Sequence, residues 1–436
     1  MPGVSNRAVL GAWVVAAVLA LAAWMTRPPE RAGPELAGGG GEVFGLGLEP
    51  AGIEEIEVVS AGVGATLRRD GDWTLVLPDA SGGSHRWPAD PGAARGLVRD
   101  LAALTVEAGE IGPGEVRAEV RVRGGAGEPV TVRALGGALG GRVPVVVEAG
   151  GRSRGGLVEA ARFRPASVED LAGLAAARPL APDGVVVGVE IVSEGAGVRL
   201  VRRAGIWGLE DSPARLDQAA ARSLVEGLAS VRAAGVVVPF DDAGIGRGVV
   251  RIALRVQRAR SPGEPAVERR LGLVIGPQST IEGAVSALAT RGEDERLLIT
   301  LDPSALPPLP AGPEPLLDRR PLPWDAAETG SIEVARDGAT RRFTRRLEGW
   351  VAEDGPAESA VVRGLLDALA APHPARLLGD ETPGGTRLTL APVGSGSPVT
   401  LRVTSSGASV TVDDGAAAWT VDGAALAEAI GSLLGG

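Results

Sequence analysis

The chain has 436 residues, no cysteine, no tyrosine and a formal charge of -10 at pH 7. The lack of cysteine excludes disulfide staples, thiolate metal sites and cysteine nucleophiles. With 54 acidic against 44 basic residues, the electrostatic footprint of a nucleic-acid binder is not expected. Lysine is absent and Asn6 is the single asparagine; residues with A/T-rich codons are the missing ones, so a GC-rich genome accounts for the bias and no function is read into it.

The first element in chain order is the apolar run Ala8 to Met25, the only uninterrupted one. As a helix at ~1.5 Å per residue it would measure about 27 Å, enough to cross a bilayer once. Trp24 stands where an interfacial aromatic belongs, and Arg27-Pro28-Pro29 ends the run. A cleaved signal, cut after Ala20-Leu21-Ala22, is the alternative. Residues 1–28 thus read as a short tail and transmembrane anchor, and 29–50, with Gly38 to Gly41, as a flexible Gly/Pro tether.

Three modules follow, at 51–180, 181–306 and 327–436. Each contains two arginines, three spacers and a tryptophan: Arg68-Arg69 and Trp73, Arg202-Arg203 and Trp207, Arg345-Arg346 and Trp350. The element recurs at about one domain length, the mark of an internal repeat. Alternation and turn residues place strands before and around each tryptophan. A helix comes next, introduced by Asp90-Pro91, by Asp217 and by Pro356, with Leu97/Leu101, Leu224/Leu228 and Leu365/Leu369 at helical spacing. Further strands follow, and short closing helices are expected at Ser167 to Ala176 and Ala424 to Leu434. The expected fold class is α+β: a single N-terminal transmembrane helix, then three repeated modules of antiparallel strands with one or two covering helices. Residues 307–326 hold the prolines 307, 308, 310, 313, 315, 321 and 323 and read as a stiff linker.

This arrangement resembles the bacterial family known as domain of unknown function 4340, whose members carry one membrane helix and modules opening with a Leu-Arg-Arg-x-x-x-Trp-x-Leu type element. The matching segments are Ala65 to Leu75, Val198 to Leu209 and Phe343 to Val351. The resemblance implies a periplasmic, single-pass protein of the cell inner membrane, associated with ABC-type transport systems, and it brings no catalytic residues. Copy three departs from it, with Glu353-Asp354-Gly355-Pro356 where the other copies have a single aspartate before the helix.

Among the recurrent residues, each tryptophan reads as the anchor of its module's core, with its indole N–H on a carbonyl. Adjacent arginines on a strand point to opposite faces, so one per copy shares the tryptophan's face. Catalytic constellations are lacking. His85 and His373 stand in nonequivalent loops, Asp241-Asp242 and Asp413-Asp414 read as solvated turns, and Gly244 to Gly248 precedes a strand where a phosphate loop would open a helix. No metal, cofactor or nucleic acid is expected. The reading is a noncatalytic, membrane-tethered scaffold or accessory subunit, with a membrane protein partner such as an ABC-type permease and with the bilayer contacted through residues 8–25. The alternative is a protein that binds or hydrolyses envelope polymer, with Asp90 or Asp217 as acid or base.

Overall fold

The structure is a computed structural model that describes residues 42–434 apart from 125–127, 137–139, 194, 239–244, 246–249, 260–264, 277–283, 354, 357–358, 379–384 and 407–408. The chain forms two compact units, Met1–Ala177 with Val236–Asp241, and Arg178–Gly235 with Asp242–Gly436. The first holds copy one, and the second holds copies two and three.

The α+β expectation is corrected: half of the chain is strand and 19% helix, so the protein is mainly β. The physical reason lies in the turns. Two-residue connections such as Ala61-Gly62, Ala204-Gly205 and Asp337-Gly338 place both residues at positive φ, the geometry that folds a strand straight back on its neighbour. Hairpin follows hairpin, and the expected closing helix of copy one shrinks to Val168–Ala172. No helix among the described residues is long and apolar enough to cross a membrane, and the apolar run 8–25 lies outside the described residues.

In the first unit ten antiparallel strands form one sheet. From one edge it runs Ser84–Pro88, Asp72–Pro78, Val63–Asp70, Ile53–Ser60, Val116–Gly124, Val130–Leu135, Arg142–Ala149, Arg152–Glu159, Thr105–Ala108 and Val43–Gly45. Copy two repeats the order as Ile206–Leu209, Ala196–Arg203, Val185–Ser193, Val250–Arg258, Val267–Ile275, Val285–Arg291 and Glu295–Leu301. Copy three follows with Gly349–Ala352, Ala339–Arg346, Thr329–Arg336, Thr386–Pro392, Val399–Ser406, Ser409–Asp413 and Ala417–Asp422. In every copy the tryptophan strand pairs with the arginine strand and that one with the opening strand. The chain then crosses by a helix and returns on the opening strand's other side.

The helices are α1 (Pro91–Ala102), α2 (Val168–Ala172), α3 (Gln218–Ser230), α4 (Ser359–Ala370) and α5 (Gly423–Leu434). The three crossover helices bury one stripe in one register: Ala94, Leu97, Val98 and Leu101 in α1; Ala221, Leu224, Val225 and Leu228 in α3; Val362, Leu365, Leu366 and Leu369 in α4. That spacing lays a helix on a sheet, and each buried leucine contributes about 1.5–3 kcal/mol. Asp90 caps α1 by accepting from Gly92 and Ala93 N–H at 2.9 and 2.8 Å, and Asp217 caps α3 from Ala219 and Ala220 at 2.8 and 3.1 Å.

The proline-rich segment 307–326, expected as a spacer, is packed into the second unit. Leu316, Leu317 and Leu322 are buried, and Leu317 forms an antiparallel bridge with Leu216. Arg215 clamps the segment. Its guanidinium lies 3.3 Å from Asp318, donates to the carbonyls of Arg320 and Pro321 at 2.9 and 2.6 Å, and sits 5.5 Å from the Trp419 ring centroid. Burial pushes the Arg215 pKa down, and Asp318 and Asp414 partly restore it. Gly227 of α3 meets Pro307 so closely that a Cβ would stand 2.9 Å from the proline ring.

Candidate binding clefts

The same hairpin, short turn and crossover helix meet in each copy. In copies one and three a 3₁₀ turn, Pro50–Gly52 or Ala326–Glu328, runs directly into the opening strand. The hairpin returns beside it, and the first turns of α1 or α4 stand opposite. The result in copy one is an open cleft of about 690 Å³ lined by Arg69, Trp73, Arg95 and Arg99, with Asp72 at its rim. Copy three has an equivalent cleft of about 390 Å³ lined by Arg345, Arg346, Trp350 and Arg363, with Glu348 and Asp367.

Register decides which arginine shares the tryptophan's face. Residues directly opposite on antiparallel strands share a face, and the pairs are Arg69 with Trp73, Arg202 with Trp207 and Arg345 with Trp350. The partner is thus the second arginine in copy one and the first in copies two and three, because the hairpin of copy one is one residue tighter. Arg68 and Arg203 pair instead with Thr74 and Ile206. Despite the shift, Arg69 and Arg345 do the same thing: each donates from Nη1 to the carbonyl of the adjoining 3₁₀ turn, Ala51 or Ala327, the former at 3.2 Å.

The tryptophans differ in burial, which corrects their reading as three equivalent core anchors. Trp207 is 6% exposed, whereas Trp73 and Trp350 are half-buried and line the clefts. The core indoles are Trp87 and Trp419, both fully buried, which donate to Ala176 and Asp318 carbonyls at 3.4 and 2.8 Å. The first residue of the crossover helix also differs between the copies. In copy two Gln218 takes both backbone groups of Trp207, accepting from its N–H at 2.9 Å and donating to its carbonyl at 2.8 Å. Arg202 covers the ring at 6.0 Å and donates to its own turn at Gly205. The equivalent residues are short: Pro91 in copy one and Ser359 in copy three, whose Oγ accepts from Trp350 N–H at 3.1 Å. Ser359 comes so near Gly349 that a Cβ there would stand 2.8 Å from its Oγ.

Sequence reading missed a further recurrent arginine. Arg95, Arg222 and Arg363 occupy the fifth position of α1, α3 and α4, each two residues before the first conserved-register leucine, Leu97, Leu224 or Leu365. Aligning the three helices on their leucines would have revealed it. Among the described residues none of the cleft arginines is paired with a carboxylate, whereas several other strand arginines are. Arg133 binds Glu119 and Glu148 at 2.8 and 2.7 Å, Arg342 binds Glu333 at 2.6 Å, and Arg199 binds Glu190 at 3.3 Å. The Arg133 guanidinium holds the Glu119 carboxyl below its ordinary range.

The remaining candidates have local partners. His85 Nε2 lies 2.9 Å from Asp79, and His373 Nε2 lies 2.7 Å from the Ala368 carbonyl. Asp413-Asp414 is not the solvated turn expected, for Asp413 is 3% exposed and Asp414 accepts from Ala416 and Ala417 N–H at 3.0 and 2.9 Å. Asp241-Asp242 and the glycines 244, 246 and 248 lie outside the described residues. Among the described residues no group of three or more histidines and carboxylates is arranged to hold a metal ion. No family model, curated protein or solved structure matches the chain.

Proposed function

We propose that this protein works by contact: a noncatalytic scaffold or accessory subunit of a membrane assembly, of the ABC-type transport class that the resemblance to domain of unknown function 4340 implies. Its modules stand on the periplasmic side of the inner membrane, which the chain contacts through residues 8–25. The observation that supports this reading is the recurrence of one Arg/Trp cleft in copies one and three. Repetition preserved a surface for binding, and the residues it preserved are guanidinium and indole groups, which hold ligands without proton transfer at neutral pH. The carboxylates that the enzymatic alternative needs, Asp90 and Asp217, are occupied as helix caps. The test is photo-crosslinking in the native host from positions 99 and 363, with position 222 as control. The expected result is one and the same membrane polypeptide attached from both clefts and none from the control. Absence of any adduct, together with release of soluble fragments from envelope polymer by the purified protein, would overturn it.

A further inference from the structure

Resting on the contact reading, we propose that the two open clefts are receptor sites for acidic polypeptide segments, and that the middle module is a closed copy that takes none. The charge balance points to the ligand's sign. On a chain of net charge -10, each open cleft brings together three guanidinium groups without an ion-pair partner among the described residues: Arg69, Arg95 and Arg99 against one acid in the first, and Arg345, Arg346 and Arg363 against two in the second. Arginine forks match carboxylates in bidentate geometry, and a partly desolvated cleft strengthens such pairs over surface ones.

Polypeptide is favoured by the apolar shelf beside the second cleft. Leu347 is fully exposed at the hairpin tip, and Val393 is 67% exposed next to it, the two bounding a hollow with Arg345 and Arg346. An extended segment alternating carboxylate and apolar side chains meets both features, seating its acids on arginine and its apolar groups on the indole and the shelf. A uronic-acid chain has no side chains for the shelf. A lipid headgroup surface is planar, while these sites are concave.

The middle module supplies the control within the molecule. It keeps the pair Arg202-Arg203, Trp207 and the helix arginine Arg222, yet Gln218 hydrogen-bonds both backbone groups of Trp207 and Arg202 lies on its ring. No 3₁₀ turn precedes its opening strand among residues 178–184. The closed copy thus differs from the open ones at the start of its crossover helix, with Gln218 where they have Pro91 and Ser359.

The experiment is calorimetric titration of the full-length protein in detergent with short poly-L-glutamate at low salt. Two sites per chain are expected, weakening as salt rises. Arg95→Glu removes the first site, Arg363→Glu the second, and the double variant both, each loss being at least about tenfold in affinity. Arg222→Glu, the same change at the same helical position of the closed copy, leaves both. All three arginines are exposed, and Arg→Gln at the same positions, with unchanged circular dichroism, excludes misfolding as the cause. No binding of polyglutamate, or binding indifferent to Arg95 and Arg363, overturns the proposal. Tighter, variant-sensitive binding of polygalacturonate or of phosphatidylglycerol vesicles overturns it in favour of a glycan or headgroup site. Should polyglutamate fail while crosslinks from positions 99 and 363 persist, the contact reading stands and the acidic chemistry falls.

Discussion

Two classes of tryptophan divide the energetic and the binding roles. Trp87 and Trp419 are fully enclosed with their indole N–H groups on carbonyls, so replacing either by alanine opens a cavity and costs about 3–5 kcal/mol. Trp73→Ala and Trp350→Ala are expected to cost about 1 kcal/mol, since both side chains are only partly buried. Urea denaturation of the four variants checks the ranking, and equal losses at all four would contradict it. A pH effect belongs to the same scale. Hydrogen bonds from the Ser81 backbone and from His85 hold the Asp79 carboxyl below its ordinary range. Its folded form is therefore favoured as the anion, and that contribution is present above the usual aspartate range and lost as pH falls through the lowered value. Amide exchange at Ser81 and Gly82, whose N–H groups bond to Asp79, should accelerate only in that acidic window. Acceleration already beginning near neutral pH would contradict this assignment.

The crossover helices were legible because their apolar stripe keeps one register through α1, α3 and α4, a pattern strong enough to survive any uncertainty at the ends. The hairpins were legible as hairpins, but not in register. Identical Arg-Arg-x-x-x-Trp spacing folds with Arg69 opposite Trp73 and Arg202 opposite Trp207, because turn length is chosen by local φ and not by the flanking motif. Nor was cleft opening visible, since it depends on packing where hairpin and helix meet, and the residues at the head of each helix, Pro91, Gln218 and Ser359, show no pattern in the sequence. The proline segment misled for a related reason: its leucines 316, 317 and 322 read as spacer until their partners in the second unit are known. Limited proteolysis should accordingly spare 310–322 in the native protein. Arg215→Ala, which removes the donor to the Arg320 and Pro321 carbonyls, should cost about 2 kcal/mol and make that segment the earliest cut. Early cleavage there in the wild-type chain would show that the packing does not persist in solution.

At the scale of the molecule, one motif of strands and crossover helix is written three times and differentiated. Sheet pairing keeps the same order in every copy, because each opening strand is flanked on one side by its own hairpin and on the other by the strand that the helix delivers. What changed between copies is the surface at the hairpin and helix junction, open in the first and third and covered in the second. The mainly β character escaped sequence reading because short strands such as Ser84–Pro88 and Thr105–Ala108 carry too few residues to show alternation, while helices announce themselves over a dozen. The central claim is that the two clefts are the working surfaces and that their function is contact. Its most direct test is complementation of a deletion strain by the Arg95→Glu/Arg363→Glu double variant, beside Arg222→Glu and wild type at equal abundance. The account predicts loss of function in the double variant and full function with Arg222→Glu. Full function in the double variant, or loss on Asp90→Asn or Asp217→Asn in a chain that still folds, would contradict it.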